Sequence, residues 1–502
     1  MKSEINFFRE LLITNTNSKT CSGNTISDGR YECSLQTLPT IFSRIDEMCP
    51  NFDELLPECY SVPVGCCVPD VIVLLWLLYN NKSFFIFPHI NNNLSSENSA
   101  ILSGFCTNEI LIERNINKEI DLLNPETYIQ FNKHKEYDES VGSLFKGKVL
   151  MKTSGSTSFP KLVVHSSQKI FQNALNCTKR LSVNSKDRIL IPVPIYHMYG
   201  LGAALLTGIL TGASINLMGS TNIIKYIERE RTFNPNIAFL TPHLCQMMLS
   251  TRKSPRQYKL VMIGGDKINK ETFYDFETKF GKLINLYGST ELGVIAASDI
   301  NETLTLRSEG VVRTVAGVKI NFKKISTQNP TEVYHILCKH KNGFEYYVDN
   351  YGKKLETEAD NNSEVFDTKD VGIMLSKDCF RVIDRRDNCI NRTGLLVSFS
   401  EVETLMIDNI KEISQAFVFT DHSETERGKK LISICELKQK TLINANDIRA
   451  LCFQAMKRHL VPDDIYIVDQ IPKLQNGKTD RQKLIAIYNE NKIQSNLNPI
   501  IE

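Results

Sequence analysis

Several chemistries have no foothold in this sequence. No CxxC pair and no ladder of regular spacings organises its 14 cysteines, of which Cys66 and Cys67 are adjacent. That scatter excludes a zinc ribbon or a disulfide framework and suits reduced thiols in a cytoplasmic protein. No block gathers the lysines and arginines, and the formal net charge is only +2, so the chain lacks the electrostatic footprint of a nucleic-acid binder. The longest apolar run, Val71–Tyr79, is nine residues, against the roughly 20 a membrane-spanning helix needs. It reads as a buried core helix, and no membrane insertion is expected. Glu4, Arg9 and Glu10 interrupt the N-terminal stretch before a secretory apolar region can form. There is neither an internal repeat nor a GxxxxGK[ST] phosphate loop.

What is present is globular: 502 residues, 42% hydrophobic and 23% charged, a length that calls for at least two domains. Apolar, often β-branched runs alternate with helical patterns, and Ile189–Val193, Ile237–Thr241, Leu260–Ile263 and Leu283–Leu286 are the clearest strands. This is α/β patterning. Several of these strands run into loops bearing Pro194, Pro242, Gly264 with Gly265, or Gly288. Ligands of open α/β sheets bind beyond the carboxyl ends of strands, so those loops are the expected site. The rhythm changes near Asp384. A helix from about Ser400, strands near Ala416–Thr420, Leu431–Leu437 and Ile465–Val468, and a helix from Asp447 compose a small α+β domain. In that last helix Ile448, Leu451, Cys452, Ala455, Met456 and Leu460 form a core stripe.

Residues 152–161, Lys-Thr-Ser-Gly-Ser-Thr-Ser-Phe-Pro-Lys, carry the strongest chemical signal. Thr153, Ser154, Ser156, Thr157 and Ser158 supply hydroxyls, Gly155 lets backbone amides approach an anion, and Lys161 adds a charge. The loop is expected between a strand and a helical segment. Alone, the run is weak evidence, and such composition reads by default as a solvated turn.

Five segments in chain order then resemble the adenylate-forming superfamily of acyl- and aryl-CoA synthetases, nonribosomal peptide adenylation domains and luciferases. Lys152–Lys161 looks like its phosphate loop, and Pro194–Leu201 (Pro-Ile-Tyr-His-Met-Tyr-Gly-Leu) like its substrate gate. Asn285–Glu291 (Asn-Leu-Tyr-Gly-Ser-Thr-Glu) looks like its adenine and magnesium motif. Asp370-Val371-Gly372 with Asp384–Asp387 resemble the ribose and hinge motifs, and Asn476–Arg481 the catalytic-lysine loop. The resemblance spans roughly residues 150–485 and leaves the first 140 hard to place.

The resemblance implies a large N-terminal AMP-binding domain, residues 1–384, of β-sheets flanked by helices. A small mobile α+β lid, residues 385–502, would carry the catalytic lysine and turn about Asp387. It implies ATP-dependent conversion of a carboxylic acid to an acyl-adenylate, then transfer to the thiol of CoA or of a carrier protein's phosphopantetheine. Lys478 would be the cation that stabilises charge at the α-phosphate. Glu291, with Thr157, would hold Mg2+. ATP would meet Thr153, Ser154, Gly155, Ser156, Thr157 and Lys161 at its phosphates. Around its nucleoside the resemblance places Gly265, Asn285, Tyr287, Gly288 and Thr290, with Asp370 on the ribose hydroxyls and Arg385 behind it. His197, Met198, Tyr199, Gly264 and Gly293 would line the acid pocket, with His197 orienting near the carboxylate. Amino-acid-activating relatives place an Asp at the position of Met198. An apolar Met cannot neutralise a buried ammonium, so an aryl or aliphatic acid without an α-amino group is expected.

Some positions depart from the family pattern: Ser158 and Asp384 stand where Gly is usual, Asn391 where Lys is, and Phe399 where Pro is common. The usual Gly-Tyr segment upstream of the ribose Asp is not recognisable in Gly343–Tyr351. These departures motivate a second reading, a catalytically impaired nucleotide-binding relative with a regulatory or assembly role. No carrier domain follows residue 485, so the thiol acceptor is expected in trans, for a monomer or homodimer.

Overall fold

A computed structural model describes residues 9–10, 23–49, 59–89, 106–133, 146–153, 161–219, 222–328, 331–355, 365–393, 395–426, 428–438, 443–473 and 479–497. The chain packs as two compact units, one of residues 1–319 with 339–366, the other of residues 320–338 with 367–502.

The first unit contains two sheets. In one, the strands Gly281–Ser289, Tyr258–Ile263, Ile237–Leu240, Arg188–Ile191, Ser214–Leu217 and Thr25–Ser27 lie side by side in that order, each parallel to its neighbour. Their middle members are buried along almost their whole length, as Ile237–Leu240 is at all four positions. Continuous apolar runs are what a parallel strand covered on both faces requires. The helix Lys270–Phe280 supplies one cover, setting Phe273, Phe276 and Phe280 against Val261, Ile263 and Leu283. Its start is fixed by Asn269, whose side chain accepts from the Thr272 amide at 2.7 Å. The strands at Ile191, Leu240, Ile263 and Ser289 all end toward one edge, the edge at which sheets of this kind hold ligands.

The second sheet of this unit answers what the first 140 residues do. Its eight strands run in the order Lys354–Leu355, Tyr346–Val348, Leu162–Ser166, Lys148–Lys152, Ser83–Pro88, Cys59–Val64, Asn108–Ile112 and Ile129–Lys133. Four of the eight come from residues before 140. The apolar run seen in the sequence is the helix Val68–Tyr79, buried from Val68 through Leu78. Its N-terminus is closed by Asp70, which accepts from the Cys67 amide at 3.1 Å and pairs with Arg114.

One expectation is corrected here. The segment after the phosphate loop is a strand: Leu162–Ser166 pairs antiparallel with Lys148–Lys152, Lys152 opposite Leu162, and the helix Ser167–Leu181 starts only afterwards. Leu162-Val163-Val164 is apolar and β-branched, and it is buried in the middle of a sheet.

The second unit contains a sheet of Leu395–Ser398, Cys389–Arg392, Gly428–Leu437 and Ile413–Thr425, with Asp464–Val468 parallel to Gly428–Leu437. Helices Phe399–Asn409 and Ala445–Ala455 cover it through Val402, Met406, Ile448 and Cys452, packed on Val418, Leu431 and Cys435. Of the stripe read from the sequence, Ile448, Cys452, Met456 and Leu460 are core, whereas Ala455 is exposed and the helix ends there, so Met456 and Leu460 reach the core from the residues after it. The unit also holds the hairpin in which Asp370–Ser376 pairs antiparallel with Cys379–Arg385. The thirteen described cysteines are all free thiols, and no described helix is long and apolar enough to cross a membrane.

Candidate nucleotide and acid site

The segment Asn285–Glu291, expected from the resemblance to meet adenine and magnesium, is the end of one strand and the turn that follows. Gly281–Ser289 folds back onto Gly293–Ala297 with Gly288 opposite Val294 and Ser289 opposite Gly293. A side chain at Gly288 would collide with the Gly293 carbonyl, so glycine is required where the two strands close. Thr290 and Glu291 occupy the turn.

Contacts from three directions hold that turn. His165, buried on the Leu162–Ser166 strand, donates from Nε2 to the Thr290 carbonyl at 2.7 Å. Burial pushes the His165 pKa down to about 4, with a smaller opposing effect from the Thr290 carbonyl, so the ring is neutral near pH 7. The Phe344 amide donates to the Glu291 carbonyl at 2.7 Å, and the Tyr347 hydroxyl donates to Glu291 Oε1 at 3.0 Å. One step beyond, Asn173 grips Val294 through both of its backbone groups at 2.9 Å each, and His340 Nε2 lies 3.1 Å from the same carbonyl.

The Asn285 side chain is oriented by its own strand neighbours. Its amide nitrogen donates to the Arg307 carbonyl at 2.7 Å and to Ser298 Oγ at 3.3 Å. Oδ1 is left as an acceptor, which is what the amino group of adenine needs. Tyr287, two residues on, is half-buried and Gly288 exposed.

Thr153 and Lys161 close the base of the phosphate loop. Both the amide and the hydroxyl of Thr153 donate to the Lys161 carbonyl, at 3.2 and 3.3 Å. The exposed Lys161 ammonium lies 5.7 Å from the centre of the Tyr347 ring. Ser154, Gly155, Ser156, Thr157 and Ser158 lie outside the described residues, as do Gly394 and Lys478.

The gate segment leads into a widened helical turn, Tyr199–Leu205, bonded with π-helix spacing. Such turns are frequent at functional sites. Met198 is buried, whereas His197 is exposed with its ring 4.6 Å from that of Tyr196. The Tyr199 hydroxyl lies 3.0 Å from the carbonyls of both Leu240 and Met262, which pins it to two strand ends. Its ring lies where a Gly264 side chain would go, 2.8 Å from an added Cβ, so glycine at 264 makes room for Tyr199. Gly265 follows with φ of +86°.

On the second unit, Asp370 and Arg385 face each other across the hairpin, 3.4 Å apart. Asp370 is buried, and its amide donates to Thr368 Oγ1 at 3.1 Å. Asp384, the departure preceding Arg385, ties the next segment down: it accepts from Asn388 Nδ2 at 3.0 Å, Ser398 Oγ at 2.8 Å and the Ser400 amide at 3.0 Å. Asp387 is exposed in the short turn Arg386–Asn388. Phe399 is buried at the first turn of its helix.

His165, Asn173, His340 and Tyr347 were not anticipated from the sequence. A histidine closing the apolar run Leu162-Val163-Val164 is a signal that a buried polar partner must exist, but not of where it lies.

The family model for AMP-binding enzymes matches residues 126–336. Over 404 residues the chain is 24% identical to 2-succinylbenzoate–CoA ligase of Oceanobacillus iheyensis, covering 78% of this chain and 79% of that protein. Over 352 residues it is 25% identical to 4-coumarate–CoA ligase 2 of Nicotiana tabacum, covering 66% and 64%. Its fold is that of the o-succinylbenzoate coenzyme A synthetase of Bacillus subtilis solved in complex with ATP and magnesium ion, with a TM-score of 0.72 at 17% identity over 95% of this chain and 99% of that one. The chain is thus similar in sequence to acid–CoA ligases and shares the fold of adenylate-forming enzymes, with an AMP-binding enzyme domain matched over residues 126–336.

Proposed function

We propose that this protein activates a carboxylic acid lacking an α-amino group with ATP and Mg2+, and passes the acyl group to CoA. A substrate carboxylate oxygen attacks the α-phosphorus, the bond from that phosphorus to the α–β bridging oxygen breaks, and pyrophosphate leaves. The CoA thiolate then attacks the acyl carbonyl and AMP departs.

The observation that carries this reading is the Asn285–Glu291 turn, with an acceptor at Asn285 Oδ1 for an amino group and a carboxylate at Glu291 whose Oε1 is held by Tyr347. Oε2 of Glu291 accepts no bond among the described residues. One carboxylate plus phosphate oxygens is the usual donor set for Mg2+, so Glu291 fits that ion, with Thr157 as the second group assigned to it. When bound, Mg2+ neutralises charge on the phosphates of ATP.

The remaining roles are those the family resemblance implies. The loop 153–161 grips the departing phosphates, Tyr287 stacks on adenine and Asp370, backed by Arg385, accepts the ribose hydroxyls. Lys478 supplies the cation where charge develops. The lid, residues 385–502, turns about Asp387 between the two steps. Buried and apolar, Met198 supports an acid without an ammonium. The acceptor is CoA in this reading because the curated relatives at 24% and 25% identity are CoA ligases, and both ATP and CoA suit work in the cytoplasm. The intact geometry around Glu291, Asp370 and Arg385 supports an active enzyme over an impaired relative.

Incubation with ATP, Mg2+, CoA and a panel of acids, read by mass spectrometry, tests the acceptor. An acyl-CoA product supports this assignment; acylation of a carrier protein with none of CoA contradicts it.

A further inference from the structure

The segment 344–347 touches Glu291 twice. Its first residue, Phe344, donates its amide to the Glu291 carbonyl at 2.7 Å, and its last, Tyr347, donates its hydroxyl to Glu291 Oε1 at 3.0 Å. Tyr347 is itself fixed. It lies in the strand Tyr346–Val348, opposite Val163 of the strand that leaves the phosphate loop. Its ring packs against Phe344, centre to centre 4.7 Å, and Phe344 in turn packs edge-on against Phe366 at 5.4 Å. The Lys161 ammonium sits over the same ring at 5.7 Å. A glutamate in a turn would otherwise sample several rotamers, and an ion held by a single carboxylate is sensitive to which one is occupied.

We propose that Tyr347 is a positioning residue for the metal: its hydroxyl holds Oε1 of Glu291 and turns Oε2 toward the ion. Its ring, beneath Lys161, links the base of the phosphate loop to the metal carboxylate. The inference rests on the reading of Glu291 as the Mg2+ ligand. Tyr347 touches neither ATP nor acid in this account; it acts through Glu291.

The test is Tyr347→Phe, which keeps the ring and its packing and removes the donor. Binding of Mn2+ to the full chain in the presence of a non-hydrolysable ATP analogue, followed by electron paramagnetic resonance, should weaken by about tenfold, the loss expected for a hydrogen bond to a charged group. The Mg2+ concentration for half-maximal pyrophosphate exchange should rise in step, with the thermal midpoint little changed. In a Glu291→Gln background the same Tyr347→Phe change should add nothing. Wild-type Mn2+ binding by Tyr347→Phe, beside weakened binding by Glu291→Gln, overturns this inference alone. Wild-type binding by Glu291→Gln overturns the metal assignment beneath it. Should Tyr347→Phe misfold, Glu291→Asp draws the carboxylate back from the same hydroxyl; unchanged Mn2+ binding there also counts against the role.

Discussion

His165 donates its Nε2 proton to the Thr290 carbonyl across 2.7 Å, and its Nδ1 has no hydrogen-bond partner among the described residues. The ring is therefore held in one tautomer and kept neutral by burial, its pKa down at about 4. Unfolded, a histidine takes up a proton below about 6.5, whereas folded His165 does so only near 4. Between those values the unfolded chain binds more protons, so stability rises with pH across that window and is fully present above it. His165→Asn should abolish this contribution, worth up to about 3 kcal/mol at saturation. Thermal midpoints from pH 7 down to pH 4.5 should fall more steeply for the wild type than for the variant; parallel curves count against it.

Met198 is buried at the gate. Met198→Asp places a carboxylate in that apolar setting, near the expected carboxylate of the substrate. Catalytic efficiency for the best acid should fall by about tenfold or more, since one unpaired buried polar group costs roughly 1–3 kcal/mol. Steady-state kinetics with that acid decide the matter, an unchanged efficiency placing Met198 outside the pocket.

Asp387 lies exposed in the turn Arg386–Asn388, with Asp384 anchoring Asn388 of that turn and Ser400 beyond it. Proline at 387 would stiffen the turn. Pyrophosphate exchange should be spared or mildly reduced, while thioester formation falls by about two orders of magnitude, the usual result of misplacing a reacting group. Equal loss of both activities removes Asp387 from the hinge.

Arg392 is fully buried in the second unit and bonds both oxygens of Asp463, at 3.0 and 2.8 Å, together with the carbonyls of His459 and Val461. Arg392→Met leaves Asp463 without its cation and should destabilise this unit by about 3–5 kcal/mol. Hydrogen exchange of the strand Gly428–Leu437 measures this directly, because the Leu431 amide also bonds Asp463. Unaltered protection would show that the pair contributes little.

How much could be read from the sequence depended on whether a partner was local. Ile237–Leu240 announces a buried parallel strand by itself, and the stripe at Ile448 and Cys452 announces a core helix. The clamp on the motif turn announces nothing. His165 and Thr290 are 125 residues apart, Asn173 and Val294 121, and Glu291 and Tyr347 56. Periodicity does not reach across such separations. The strand after the phosphate loop, Leu162–Ser166, is too short to show a period that would set it apart from a helix. The early strands, such as Cys59–Val64 and Ser83–Pro88, are defined by neighbours that include Lys148–Lys152. Packing also divides the chain at Phe366 and Asp367 and places residues 320–338 with the second unit, whereas the sequence change that suggested a lid falls near Asp384.

The most direct test of the central claim is ATP–pyrophosphate exchange with benzoates, cinnamates, fatty acids and amino acids, each repeated with Lys478→Ala. Exchange is expected with at least one acid that lacks an α-amino group, falling by about 100-fold or more in the variant, the scale of losing one transition-state electrostatic contact. Exchange with amino acids alone, or none with any acid despite ATP binding, would contradict the account.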